Sequence, residues 1–144
     1  MKVILLLMLL AAGAMASCQP LINARLAQKI GLVESAFISF LVGTIFLFIM
    51  TLLFGRGSLG QIGQASWWQL TGGLLGAFFV FSTILIVPQL GTGAVMAATI
   101  AAQLLAALIL DHFQVFGFRH IPIDLPRLAG AVLMLLGTWL IIRT

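Results

Sequence analysis

Apolar residues in this chain come in long continuous runs, without the short alternation of half-buried strands. Five runs stand out, at about residues 3–22, 33–54, 67–87, 92–110 and 125–142. A helix crossing bilayer hydrocarbon needs about 20 mainly apolar residues, each adding about 1.5 Å across a core of about 30 Å. Polar or turn-forming residues separate the runs: Asn23, Arg25, Gln28 and Lys29 after the first, Gly55, Arg56, Gly57 and Ser58 after the second, Pro88, Gln89 and Gly91 after the third. The runs are rich in Ala, Leu and Gly and lack the period-two pattern of a membrane β-barrel. A helix satisfies its own backbone polar groups in lipid. The pattern therefore predicts an all-α integral membrane protein, a single membrane domain over residues 1–144 with five transmembrane helices.

Composition sharpens this reading. Hydrophobic residues make up 62% of the 144-residue chain and charged residues only 7%, against about 25% charged in an ordinary soluble domain. Ten charges cannot cover so small a domain with a polar surface. The net charge of +4 comes from basic residues scattered at the edges of the apolar runs. A nucleic-acid binder clusters such residues on one face, so the expected surroundings are the lipid bilayer and not nucleic acid. The single cysteine, Cys18, excludes an intramolecular disulfide and a multi-cysteine metal cluster.

The amino-terminal segment has a second reading. Lys2, an apolar stretch and then Ala14, Met15, Ala16, Ser17 and Cys18 resemble a signal peptide ending in a lipoprotein-type cysteine. Met15 stands where leucine is preferred, and apolar character continues through Leu21 and Ile22. The segment is expected to be a retained first helix.

Orientation follows the distribution of Lys and Arg. With five spans, Lys2, Arg56, Arg119 and Arg127 fall on one side, and Arg25, Lys29 and Arg143 on the other. A difference of one is compatible both with an inside amino terminus, tipped by Arg127, and with insertion in both orientations as an inverted pair.

No Asp, Glu, Lys or Arg lies near the middle of a predicted span. A central carboxylate is the usual element for proton coupling or cation binding, so a proton antiporter built on one is disfavoured. The interior polar groups are neutral. Ala12, Ala16, Gln19 and Asn23 share a face of the first helix, and Pro20 removes a backbone donor there, freeing a carbonyl. Ser35, Ser39 and Gly43 share a face of the second helix, Gly72, Gly76, Phe79 and Thr83 of the third, and Thr92, Met96, Thr99, Gln103 and Ala106 of the fourth. Small residues let membrane helices approach closely, and isolated hydroxyls or amides join them. Gly72 and Gly76 form a Gly-x-x-x-Gly pair, and Ala94, Ala98, Ala102 and Ala106 a small ridge, both suited to helix packing. Gln19, Asn23 and Gln103 form a larger polar load than packing requires, so they suit either packing or a shared cavity between helices, where transporters bind solute.

Other chemistry is weaker. Asp111, His112, His120 and Asp124 share a loop but match no metal spacing, so no metal or other cofactor is expected. Trp67, Trp68 and Trp139 suit interfacial anchoring. Asp124 before Leu125 and Pro126 reads as a helix start. No nucleophile–base pair and no phosphate loop is present, which argues against an enzyme.

Several segments together resemble the YdcZ-like bacterial family. They are Gln19 to Leu26 with its Pro20 and Asn23, Trp68 with Gly72, Gly73 and Gly76, the Pro88–Gln89–Leu90–Gly91 turn, Gln103, Asp111–His112–Phe113, and Pro122 through Arg127 to Gly130. Ala102 and Gln114 depart from it, each standing where glycine is usual. The resemblance implies membership of the drug/metabolite transporter superfamily, whose larger members have ten helices in two inverted halves. On that basis the chain is half of a ten-helix inverted-repeat transporter, completed by an oppositely oriented copy in the bacterial inner membrane. The expected function is transport of a small organic solute by an antiparallel homodimer through alternating access. The substrate would be held by Gln19, Asn23, Ser39, Thr99 and Gln103, with Asp111 and Arg119 as a charged gate. A non-transporting subunit that packs against another membrane protein is the competing expectation. A channel is disfavoured by the lack of a charged ring or carbonyl filter.

Overall fold

The computed structural model describes residues 1–117 and 120–143. Its elements are α1 (Lys2–Ile30), α2 (Leu32–Phe54), α3 (Gly72–Leu90), α4 (Thr92–His112) and α5 (Leu125–Ile142). Short 3₁₀ turns occupy Leu59–Gln64, Trp67–Leu70 and Val115–Gly117. No strand occurs among the described residues. Among the described residues five segments are long and apolar enough to cross a membrane, the third counted from Trp67 to Leu90.

Helix limits differ from the sequence expectation where polarity and backbone preference diverge. The first helix runs eight residues past Ile22, to Ile30. Residues 23–29 include the polar Asn23, Arg25, Gln28 and Lys29, yet none is Gly or Pro, and Ala, Arg, Leu, Gln and Lys are good helix formers. Polarity there marks the edge of the lipid and not the end of the helix. At about 1.5 Å per residue the 29 residues of α1 span about 43 Å, enough to carry Arg25 and Lys29 beyond the hydrocarbon. Gly31 ends it, with φ 104° and ψ 160°. Only glycine adopts that conformation readily, and one residue then suffices to start α2.

The third span also begins differently. Trp67–Leu70 forms a 3₁₀ turn and the α-helix starts at Gly72. Ser66 and Gln69 form a capping box, in which the Ser66 amide donates to Gln69 Oε1 at 2.7 Å. That box satisfies amides that would otherwise be orphaned at the helix start. Pro88 lies within the last turn of α3, and Gly91, with φ 78°, separates α3 from α4.

The chain divides into two compact units, residues 1–89 and 90–144. In the first, α1 packs on α2. On α3 the residues Val80, Thr83, Ile84 and Val87 are buried, spaced as one helical face. In the second, α4 packs on α5, Ala101 and Ala131 are buried, and Thr138 Oγ1 donates to the Ala97 carbonyl at 3.2 Å. Elsewhere large apolar side chains face outward along every helix, as lipid requires and water would penalise.

Candidate functional site

The first unit holds the polar centre. Pro20 and Asn23 on α1 and Ser35 on α2 are buried. Ser35 Oγ, with no exposed surface, donates to the Asn23 backbone carbonyl at 2.7 Å. One turn further along α2, Ser39 Oγ accepts from Asn23 Nδ2 at 3.0 Å and from Gln19 Nε2 at 3.5 Å. The local reason is periodicity: Gln19 and Asn23 are four apart, as are Ser35 and Ser39, and residues at that spacing share a helical face. Two antiparallel neighbours joined by one glycine bring those faces together. Interhelical bonds of this kind contribute about 0.6 kcal/mol each in membranes.

Beside this cluster lies a cavity of about 180 Å³, lined by Gln19, Ser39, Phe40, Gly43, Thr44 and Leu47. None of these side chains is charged. Pro20 has no amide hydrogen to donate to the Ala16 carbonyl, so α1 lacks that intrahelical bond. With both amide nitrogens aimed at Ser39, the Gln19 and Asn23 carbonyl oxygens are acceptors with no hydrogen bond to another side chain among the described residues. The arrangement can hold a small solute by neutral hydrogen bonds against the Phe40 ring.

Phe40 and Thr44 were not among the sequence-derived candidates. They flank Ser39 and Gly43 on the lining face of α2, at spacings of one, four and five residues. A stripe read only as polar or small positions passes over both. Phe40 also closes on Gly76, where an added Cβ would lie 3.4 Å from Cζ. Gly72 meets nothing within 4 Å.

In the second unit, Thr99 Oγ1 lies within hydrogen-bonding distance of its own helix's carbonyls, Val95 at 2.9 Å and Met96 at 3.1 Å. Such back-bonding satisfies a hydroxyl in lipid at little cost. Gln103 is exposed, and its side chain makes no hydrogen bond among the described residues. Ala98 and Ala102 lie on the exposed side of α4, whereas Ala101 is buried and the Ala97 carbonyl accepts from Thr138 of α5. A cavity of about 390 Å³ between α4 and α5 is almost wholly apolar, with Met96, Ile100, Leu133 and Met134 among its walls.

The loop after α4 folds back on it. The Ile121 amide donates to the Asp111 carbonyl at 3.1 Å, and the Ile123 amide to His112 Nδ1 at 3.2 Å. Asp124 caps α5, accepting from the Arg127 amide at 2.9 Å. Asp111 pairs with Arg127, Oδ2 to Nη1 at 3.7 Å. Arg119, the other member of the expected gate, lies outside the described residues.

Five helices of membrane-spanning length among the described residues, with outward-facing apolar side chains, define a multi-pass membrane protein. Residues 4–140 match the family described as "Putative inner membrane exporter, YdcZ", and the chain belongs to that family. Inner membrane protein YdcZ of Escherichia coli (strain K12) is 34% identical over 139 residues, covering 94% of this chain and 92% of the relative. No solved structure matches the chain. The protein is thus a multi-pass inner-membrane protein of a transporter family.

Proposed function

We propose that the chain exports a small, uncharged or zwitterionic organic solute as an antiparallel homodimer working by alternating access. The observation that carries this reading is the Asn23–Ser39–Gln19 cluster opening on an uncharged cavity. Gln19, Asn23 and Ser39 of the first unit and Thr99 and Gln103 of the second are the residues of each copy proposed to contact the solute. The exposed Ala98 and Ala102 and the open Gly72 leave room for the close approach of a second chain. Asp111, held by Arg127 and within one loop of Arg119, supplies the charged gate at the end of α4.

The test is flux from reconstituted vesicles. A panel of small polar metabolites is screened by thermal shift, and each hit is followed as transport. Asn23→Leu and Gln103→Leu lower that transport about fivefold or more, the effect of losing about 1 kcal/mol of solute binding. Transport unchanged in both variants overturns the site. The competing reading, a packing subunit without transport, predicts no hit and no flux from any member of the panel.

A further inference from the structure

The mouth of the α4–α5 pair holds a second polar cavity, separate in composition from the cluster on α1 and α2. It measures about 400 Å³ and is lined by Asp111, Arg127, Leu104, Leu108, Gly130 and Ala131, with Ala107 between the two leucines. Its chemistry is graded. Asp111 lies in the last turn of α4 and Arg127 in the first turn of α5, so both charges sit at helix ends, level with lipid headgroups. Leu104 and Leu108 lie on α4 toward the bilayer centre from Asp111, and Gly130 and Ala131 lie likewise on α5 from Arg127. The cavity is charged at the water side and apolar below.

The two charges form an ion pair without a hydrogen bond between them. Arg127 Nη1 is buried and has no hydrogen-bond partner among the described residues, and its distance to Asp111 Oδ2 is 3.7 Å. A charge-assisted hydrogen bond between such groups closes to about 2.7–2.9 Å. The gap leaves Nη1 of a partly exposed guanidinium without an acceptor among the described residues, beside a carboxylate with spare acceptor sites. A guanidinium matches phosphate or carboxylate oxygens, and a carboxylate matches an ammonium group. The pair therefore complements a ligand carrying an anion and an N–H-bearing cation a few ångströms apart.

We infer that this cavity binds a zwitterionic phosphate–ammonium group, with phosphate on Arg127 and the ammonium on Asp111, and that its source is an aminophospholipid whose acyl chain lies along Leu104, Leu108 and Gly130. The apolar lower half favours the lipid over a free zwitterion, which has nothing to place there. Gly130 is the opening for the chain: an added Cβ meets no atom within 4 Å. The site is distinct from the proposed solute site, and its occupancy is read without transport.

The experiment is native mass spectrometry and thermal unfolding of the full chain in detergent. The added probes are phosphatidylethanolamine, phosphatidylcholine, phosphatidylglycerol or soluble phosphoethanolamine. The wild type retains phosphatidylethanolamine and is stabilised by it more than by the other two lipids, because only that lipid offers both phosphate and ammonium N–H groups. Arg127→Gln abolishes retention, and Asp111→Asn removes the preference over phosphatidylcholine. Gly130→Leu fills the apolar half, leaves both charges in place and also abolishes retention, which covers the case in which loss of Arg127 impairs folding. Arg56→Gln, at another interfacial arginine, leaves retention unchanged. Saturation by phosphoethanolamine alone, undiminished in Gly130→Leu, keeps the zwitterion chemistry but overturns the lipid as its source. Equal retention of all three lipids, or full retention in both Arg127→Gln and Gly130→Leu, overturns the site.

Discussion

Asn23 and Ser35 are bonded to each other, yet replacing them should have opposite consequences. Ser35 Oγ donates to the main-chain carbonyl of Asn23, a group that the substitution Asn23→Leu leaves in place. The α1–α2 tie at 2.7 Å therefore survives in Asn23→Leu, and the only bond lost is Asn23 Nδ2 to Ser39 Oγ at 3.0 Å. Membrane hydrogen bonds average about 0.6 kcal/mol and reach about 1.7 kcal/mol. Leucine keeps the branched four-atom outline of asparagine with methyl groups in place of the amide, so the stability change should stay within about 1 kcal/mol. The solute loses one neutral hydrogen bond per copy, about 0.5–1.5 kcal/mol each. For two copies this is about 1–3 kcal/mol, or about 5- to 150-fold in affinity. Ser35→Ala reverses the balance: it removes the fully buried tie, costs up to about 1.7 kcal/mol of stability and leaves transport within about twofold. Thermal unfolding in detergent and vesicle flux on the same preparations measure both. A variant pair in which Asn23→Leu transports normally and Ser35→Ala does not would refute the assignment of Asn23 to the solute and Ser35 to the scaffold.

Gln114 has φ 51°, a left-handed conformation at the position where the resembled family usually has glycine. Gln114→Gly should raise stability by about 0.5–1 kcal/mol, visible as a higher unfolding temperature, because relief of left-handed strain exceeds the entropy glycine adds. Gly31→Ala should lower it by about 1–3 kcal/mol, since φ 104° with ψ 160° is a region almost confined to glycine. The accompanying clash with the Glu34 carboxylate is relieved by rotating that flexible side chain, so Gly31→Ala with Glu34→Ala should recover little in the same melt. Two lysines added to the Arg56 loop should fix one orientation, scored by cysteine labelling from each side, and abolish transport until an oppositely biased copy is co-expressed.

The five crossings were legible in the sequence because lipid imposes a length that few other structures need, and α2 and α5 follow their apolar runs to within a residue. The errors lie where a different force sets the boundary. The polar residues of 23–29 leave the hydrocarbon but have no reason to leave the helix, and the break waits for Gly31. Trp67 to Leu70 are apolar enough to begin a span, but the Ser66–Gln69 capping box holds them in a 3₁₀ turn. On the candidate site, helical spacing placed Gln19 with Asn23 and Ser35 with Ser39, and the structure shows those faces meeting. Spacing did not separate Ser35, which ties backbone, from Ser39, which borders the cavity. Phe40 and Thr44 were missed because a lining residue is defined by the neighbouring helix. Arg127 became the described partner of Asp111 through the fold of the intervening loop, which no periodicity encodes.

The central claim is that the polar cluster borders a water-filled passage and is not a packed seam. It is tested most directly by thiol accessibility at Ser39→Cys and Thr44→Cys in a Cys18→Ser background. Thiolates form in water and hardly at all in lipid or a dry core. The account predicts that a small, charged, membrane-impermeant methanethiosulfonate labels both positions in sealed vesicles and that a transported solute protects them. Labelling only by a lipid-soluble maleimide, with no protection by any solute, would contradict it.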